Sequence, residues 1–191
     1  MSKKKTRKHL RTLLHAIPDA QIHRRSYAAC GHLCALPEFQ NAQIIMLFVS
    51  LHKEIDTSLA LLTAMDMGKK VVVPRVIWET KGMVPVVIET LNFEMVMARC
   101  GVREPAGGEV ISPKDIDLVV TPGLGFDLLG NRLGRGSGFY DRFLEGLDAV
   151  RCAIAFEDQV LDEIPTQSFD QLMDILVTES GSRRFSRTDH P

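Results

Sequence analysis

The spacing of apolar residues predicts helices in some segments of the chain and buried strands in others. In residues 3–36, leucines and isoleucines recur at helical spacing between charged residues, and Pro18 divides the stretch, so two amphipathic helices are predicted. A third helix is predicted after Asp56 and Thr57, which can cap its start, and before Gly68, which can end it.

Between the helices lie short, continuous apolar runs, which are typical of strands buried on both faces. These runs cover residues 44–49, 71–73, 118–121, 152–156 and 175–178, with a less regular one at 83–88. Pro85 predicts a sheet edge for the irregular run. Such strands alternating with helices predict an α/β fold, a three-layer sandwich with a mostly parallel, Rossmann-like central sheet. A further helix is predicted over 138–146 and a polar tail from about residue 179.

Composition and charge narrow the class of protein. The 191 residues are 45% hydrophobic and 25% charged, which predicts a single globular domain over 1–191. The net charge of -1 provides no overall field that would attract nucleic acid or a membrane surface. We expect a cytoplasmic monomer or weak homodimer with no membrane-spanning segment, although the acid-free start before Asp19 leaves organelle targeting open.

The cysteines are interpreted as small buried side chains in a reducing compartment. They are Cys30, Cys34, Cys100 and Cys152. Cys30 and Cys34 stand one helical turn apart, a spacing that could hold a metal, but no second ligand pair with zinc-site spacing occurs.

The segment 117–144 carries the most specific chemical pattern. After an apolar run it contains three alternating glycines and two interspersed arginines: Gly134, Gly136, Gly138, Arg132 and Arg135. Glycine backbone approaches an anion closely, and arginines and a following helix N-terminus attract negative charge. The pattern therefore predicts a loop that binds phosphate groups.

Two familiar phosphate-binding motifs do not fit this segment. A dinucleotide fingerprint needs G-x-G-x-x-G after the first strand, whereas this chain has G-x-G-x-G far from its start. A P-loop needs Gly-Lys-Ser/Thr, which does not occur. A plain turn is the remaining alternative, but it needs fewer glycines and would leave two arginines repelling each other.

Acidic residues near strand ends are further candidates. Asp141 could stabilise the first helical turn by about 0.3–1 kcal/mol, or bind Mg²⁺ together with substrate phosphates, and both interpretations stay open from the residue alone. Asp56 is interpreted as a helix cap, whereas Glu54 could bind an amine-bearing ligand. The carboxyl ends of parallel strands lie at one edge of a sheet. Glu54, Pro74 and the glycine segment (residues 132–138) are therefore expected to lie close together.

These residues resemble the 5-formyltetrahydrofolate cyclo-ligase family, also called methenyltetrahydrofolate synthetases. The central motif is Thr121-Pro122-Gly123, Phe126-Asp127, Gly130 and the run from Arg132 to Asp141. Weaker matches follow in order up to Thr178: Lys3 and Arg7, 48–50, 54–57, Gly68-Lys69, Pro74-Arg75, Glu104-Pro105, Gln159, Ile164-Pro165 and Asp170.

The resemblance implies an enzyme that uses ATP to close 5-formyltetrahydrofolate to 5,10-methenyltetrahydrofolate, releasing ADP and phosphate through a phosphorylated formyl intermediate. It implies Mg²⁺ as cofactor and ATP and a reduced folate as partners. Two alternatives stay open: a catalytically silent folate- and nucleotide-binding homologue, and an ATP-dependent enzyme of the same fold with a different substrate.

The resemblance also implies a role for each matching residue. ATP would contact Lys3, Arg7, Arg132, Gly134, Arg135, Gly136, Ser137, Gly138, Phe139 and Tyr140. The folate would contact Val49, Glu54, Arg135, Gly136, Ser137, Gly138 and Phe139. Asp141 and Asp170 would hold Mg²⁺, and Arg135 and Tyr140 would act in catalysis. Ser137 and Phe139 depart from the commonest pattern, in which glycine or lysine and tyrosine are frequent, and this bears on affinity more than on reaction type.

Overall fold

The computed structural model describes residues 2–97 and 103–185. The helices are α1 (Lys3–Ala16), α2 (Asp19–Cys34), α3 (Pro37–Asn41), α4 (Ser58–Asp66) and α5 (Phe139–Leu144). None of these described helices is long and apolar enough to cross a bilayer. The strands are β1 (Ile44–Met46), β2 (Lys70–Ile77), β3 (Gly82–Ile88), β4 (Met95–Met97), β5 (Arg103–Pro105), β6 (Leu118–Thr121), β7 (Gly125–Asp127), β8 (Arg132–Leu133), β9 (Val150–Ile154), β10 (Val160–Leu161), β11 (Ile175–Thr178) and β12 (Gly181–Arg184).

The main sheet confirms the predicted α/β fold with a mostly parallel centre. Its strands lie in the order β12-β11-β9-β6-β1-β2-β3, with β3 and β12 antiparallel at the two edges. Counted along the chain, the five parallel strands lie in the order 2-1-3-4-5. This is one of the doubly wound orders, in which the connections change direction between the first and third strands. The switch point therefore falls between β1 and β6.

The core lies on both faces of this sheet because successive strand residues point in opposite directions. Ile45 packs in a cluster with Leu10 of α1 and Leu33 of α2. Its neighbour Met46 packs in a separate cluster that includes Leu144 of α5. This division accounts for the unbroken apolar runs and produces the predicted three layers.

Two prolines directly follow predicted elements, and each lies within an element of the structure. The predicted strand 71–73 stops before Pro74, but β2 continues through it and pairs Pro74 directly with Pro85 of β3. Opposed antiparallel residues exchange two hydrogen bonds or none, so two opposed prolines lose no partner. Pro37 does not only follow α2 but also begins α3, where a missing N–H costs nothing.

The predicted polar tail begins with an ordered strand. Residues of β12 pair antiparallel with β11 from Gly181 to Arg184, and most of them are exposed. Arg184 also forms an ion pair with Glu38 of α3. Pairing with an edge strand thus orders a stretch whose polarity alone predicted no structure.

The described cysteines agree with the interpretation as buried thiols. Cys30 and Cys152 are fully buried and Cys34 is partly buried, all three unbridged. Burial raises the pKa of the Cys30 thiol to about 12, which keeps it neutral. Cys100 lies outside the described residues.

Candidate active site

A cavity of about 340 Å³ opens at the switch point of the sheet. Its walls come from the carboxyl ends of the strands, where ligands bind in doubly wound folds. The residues after β1, those of β2 and those after β6 contribute Phe48, Val49, Leu51, Glu54, Pro74, Val76, Pro122 and Gly123. The opposite wall is the glycine segment, so the predicted convergence of strand ends is confirmed.

The glycine segment owes its path to two left-handed backbone positions. Gly136 has a φ of 121° and Gly138 a φ of 69°, values that side chains with a Cβ rarely adopt. In the described part of the chain, the N–H groups of 135–138 have no hydrogen-bond partner. The α5 helix that follows has only six residues, so the backbone and the arginines, rather than a helix dipole, make this wall attractive to anions.

Arg135 joins the glycine segment to the loop after β1. Its Nε and Nη2 donate to Glu54 Oε1 at 3.0 and 2.5 Å. The second carboxylate oxygen of Glu54 accepts the Leu51 N–H at 2.9 Å. The Glu54 side chain is 7% exposed and that of Arg135 43% exposed, so the carboxylate is fixed while the guanidinium still meets solvent.

Arg132 makes a second ion pair within the cavity lining, and its side chain is almost fully buried. Its Nη2 donates to Asp141 Oδ1 at 2.6 Å, its Nη1 donates to Pro122 O at 3.1 Å, and its guanidinium lies 5.5 Å from the Tyr140 ring centre. The Tyr140 hydroxyl is buried without a hydrogen-bond partner within the described structure. Burial raises the pKa of Tyr140, so this hydroxyl is a neutral donor at physiological pH.

One face of α1 runs along the outside of the glycine segment. Lys3 Nζ contacts Asp170 at 2.5 and 2.8 Å, and Arg7 Nε donates to Gly134 O at 2.9 Å. Arg7 also lies 3.7 Å from the position that a Cβ on Gly136 would occupy. Arg11, one turn further on, lines the cavity itself. The basic face of α1 is therefore packed against the site and is not only a solvated surface.

Most of the predicted site residues line the cavity. They are Val49, Glu54, Arg132, Gly134, Arg135, Ser137, Gly138, Phe139, Tyr140 and Asp141. The other predicted residues, Lys3, Arg7, Gly136 and Asp170, lie outside its lining and form the contacts with α1 described above.

Three aromatic or positively charged residues of the cavity were missed by sequence reasoning. Trp78 packs edge to face on Phe139, with ring centres 5.3 Å apart, and as the chain's one tryptophan it could have been singled out. Arg11 repeats the four-residue spacing of Lys3 and Arg7, which was a usable pattern. Arg103 lies on β5, in a stretch whose apolar pattern predicted no element.

The carboxylates of Asp141 and Asp170 are chemically suited to bind Mg²⁺. Mg²⁺ commonly takes one or two carboxylates and completes its shell with water and substrate phosphates. Asp141 lines the cavity and offers such a carboxylate, whereas Asp170 lies at the Lys3 contact. Within residues 2–97 and 103–185 no group of three His, Cys, Asp or Glu side chains comes together, so a protein-only cage is not formed there.

A doubly wound sheet with a glycine- and arginine-walled cavity at its switch point defines an α/β protein whose cavity is suited to anionic small molecules. Comparison with known proteins specifies the family. The model of the 5-formyltetrahydrofolate cyclo-ligase family matches residues 1–179, and the chain belongs to this family of enzymes.

Relatives from distant organisms agree with this assignment. The chain is 28% identical to the 5-formyltetrahydrofolate cyclo-ligase of Mus musculus, over 94% of this chain and 95% of the mouse protein. It is 30% identical to that of Mycolicibacterium smegmatis, over 91% and 94% of the two chains. The NMR structure of Aquifex aeolicus 5,10-methenyltetrahydrofolate synthetase superposes with a TM-score of 0.86 at 28% identity, covering 100% of this chain and 96% of that one.

Proposed function

We propose that the protein closes 5-formyltetrahydrofolate to 5,10-methenyltetrahydrofolate in an ATP- and Mg²⁺-dependent reaction that releases ADP and phosphate. The family and its relatives support a folate cyclo-ligase. One structural observation supports the use of ATP together with the folate. The Arg135–Glu54 contact joins the anion-binding segment to the buried carboxylate of Glu54 in the loop after β1, so both ends of such a reaction meet in one cavity.

The chemistry needs activation because the formyl oxygen, like that of an amide, is a poor leaving group. In the proposed sequence this oxygen attacks the γ-phosphorus of ATP and the bond to ADP breaks. The neighbouring amine nitrogen, N10, then bonds to the formyl carbon and gives up its proton. Phosphate leaves with the former formyl oxygen, so every atom is accounted for. Such a reaction depends on positioning and charge stabilisation more than on side-chain chemistry.

The folate end is assigned to Glu54 and Val49. Glu54 is fixed by Arg135 and by the Leu51 N–H, so its carboxylate is already oriented when a ligand arrives. It accepts hydrogen bonds from the amino and ring N–H groups of the pterin. Phe139, held edge-on by Trp78, supplies an aromatic wall between the two substrates.

The nucleotide end is assigned to the glycine segment and the basic face of α1. The backbone N–H groups of 135–138 face no protein acceptor in the described structure and bind phosphate oxygens. Lys3 and Arg7 add positive charge from outside the segment, and Arg135 stabilises the charge that develops on the transferred group. Tyr140, with a neutral buried hydroxyl, donates a hydrogen bond within the same space.

Asp141 and Asp170 are the residues that would hold magnesium, which neutralises phosphate charge when bound. The ion pairs with Arg132 and Lys3 keep both carboxylates in place without it.

The test is a spectrophotometric assay of methenyl product with purified protein, 5-formyltetrahydrofolate, ATP and Mg²⁺, with each omitted in turn. Product that requires both ATP and metal is the expected result. Binding of ATP and folate without product would instead favour a silent binding protein, and binding of neither would overturn the proposal.

Variants separate the two ends of the site. Glu54→Gln should raise KM for the folate by about tenfold and leave KM for ATP nearly unchanged, because a hydrogen bond to a charged group contributes about 1.5–3 kcal/mol. Glu145→Gln, at an exposed glutamate, is its control. Arg7→Ala should instead raise KM for ATP, with exposed Lys8→Ala as the control on the same helix.

A further inference from the structure

The positive charges around the cavity are unequally compensated. Arg132 is paired with Asp141, and Arg135 with Glu54. Two other arginines of the lining, Arg11 and Arg103, are exposed and have no hydrogen bond or ion pair among the described residues. Within the described structure, both guanidinium groups can therefore receive a negatively charged part of a ligand.

A second cavity adjoins the first. It measures about 530 Å³ and shares four lining residues with the first: Val49, Leu51, Glu54 and Arg103. Arg103 thus stands where the two cavities meet. Lys53, also in its lining, is engaged by the Ile17 carbonyl at 2.8 Å and by Asp19 at 2.7 Å. That pairing holds the pKa of Asp19 below its ordinary value, so the charge of Lys53 is already compensated.

The shape of a folate matches this arrangement. A folate is an elongated molecule with a pterin at one end and, beyond a benzoyl ring, a glutamate with two carboxylates at the other. With the pterin at Glu54 and the phosphates at the glycine segment, the glutamate end must leave by another direction. The second cavity begins at Glu54 and offers one uncompensated guanidinium at its entrance.

We propose that the folate tail extends from the first cavity into the second and that Arg103 binds a carboxylate of its glutamate. Guanidinium and carboxylate form paired hydrogen bonds of matching geometry, which favours arginine for this task. Arg11 is assigned to the nucleotide side instead, because it lines only the first cavity and continues the helix face of Lys3 and Arg7. This inference rests on the proposed folate substrate but assigns a residue and a cavity to a part of it that takes no part in the chemistry.

The test combines a change in the protein with a change in the ligand. The variants are Arg103→Gln and Arg103→Lys, with Arg24→Gln, at an exposed arginine of α2, as control. The ligands are 5-formyltetrahydrofolate and an analogue whose glutamate is replaced by a methylamide, so that it has no carboxylate. For each pair we would measure kcat, KM and, by calorimetry without ATP, the dissociation constant.

Arg103→Gln should raise KM and the dissociation constant of the folate about fivefold, the scale of a partly exposed ion pair, with kcat unchanged. The methylamide should bind the wild type and Arg103→Gln equally, and Arg103→Lys should lie between them for the folate. An equal loss for both ligands, or no loss for either, would overturn the inference.

The calorimetric measurement separates this proposal from the proposed function. If the wild type binds folate in an Arg103-dependent manner but forms no product, the tail assignment holds and the reaction is wrong. If product forms and Arg103→Gln affects both ligands alike, the reaction holds and the tail assignment is wrong. If folate does not bind at all, both are wrong.

Discussion

The two ion pairs of the cavity use arginines three positions apart but differ in burial. The side chains of Arg132 and Asp141 are 3% and 14% exposed, and Arg132 also bonds to a backbone carbonyl. Arg135 is 43% exposed, although its partner Glu54 is buried. Arg132 cannot leave Asp141 without losing its own counter-charge in a buried site, whereas the half-exposed guanidinium of Arg135 can turn toward solvent or a ligand while Glu54 keeps the Leu51 N–H. We infer that the first pair builds the wall and that the second supplies the group that follows the substrate.

Substituting the buried Arg132 tests whether the Arg132–Asp141 pair builds the cavity wall. We expect the largest effect from this substitution. Arg132→Met should lower the free energy of unfolding by about 3–5 kcal/mol, because it leaves Asp141 buried without its counter-charge. Urea denaturation would measure the loss. Arg132→Met combined with Asp141→Leu should recover much of it, since an apolar pair leaves no charge unpaired. A single variant as stable as the wild type would mean that the pair is not part of the wall.

Substituting the half-exposed Arg135 should instead lower the catalytic rate more than the stability of the fold. Arg135→Gln should reduce kcat by about 10²–10³-fold, the usual loss when a donor to developing charge is removed. Its free energy of unfolding should fall by about 1–2 kcal/mol, less than for Arg132→Met, because glutamine can still donate to the buried Glu54, whose other oxygen keeps the Leu51 N–H. Turnover and urea denaturation on the same preparation would measure both. A large loss of stability with unchanged kcat would reverse the assignment of the two pairs.

Asp141 has two roles in this comparison. It is the ion-pair partner of Arg132 in the cavity wall, and it is a proposed magnesium ligand. Asp141→Asn should reduce turnover about tenfold or more and raise the magnesium concentration needed for half-maximal rate, since an amide binds Mg²⁺ less strongly than a carboxylate. It should also destabilise the fold by about 2 kcal/mol or more, because Arg132 loses its counter-charge. A magnesium titration of the rate checks the first effect. An unchanged magnesium requirement would leave Asp141 with its structural role alone.

The sequence predicted the main strands and the motif residues, but not the short strands or the side-chain partners in the cavity. Long apolar runs predicted the parallel strands, and β11 has the predicted bounds, because burial on both faces leaves an unmistakable pattern. The short strands outside the main sheet, β4, β5, β7, β8 and β10, have no such pattern, since pairing with other segments determines them. Likewise the motif located both arginines, but only the folded chain assigns Arg132 to Asp141 and Arg135 to Glu54.

Glu104 provides a third case, a carboxyl group without an ion-pair partner in the described structure. It lies on β5 beside Arg103, is 5% exposed, and its Oε1 has no hydrogen-bond partner within the described residues. Burial raises the pKa of Glu104 above its ordinary value of 4.5, although a backbone contact and nearby Arg75 oppose the shift. This carboxyl should therefore lower stability when it is charged, in contrast to Glu54.

The sign of the pH dependence follows from this raised pKa. Between the ordinary and the raised pKa, the folded protein binds more protons at Glu104 than the unfolded chain does, so stability falls as the pH rises through that window. Glu104→Gln removes the charge and should be more stable than the wild type by about 1 kcal/mol at pH 8, where the carboxyl is ionised in the unfolded state. The difference should vanish well below pH 4.5, where the wild-type carboxyl is protonated in both states. Urea denaturation at several pH values would measure it, with exposed Glu94→Gln as control. A variant less stable than the wild type at pH 8 would show that Glu104 has a compensating partner, and its burial would then resemble that of Asp141.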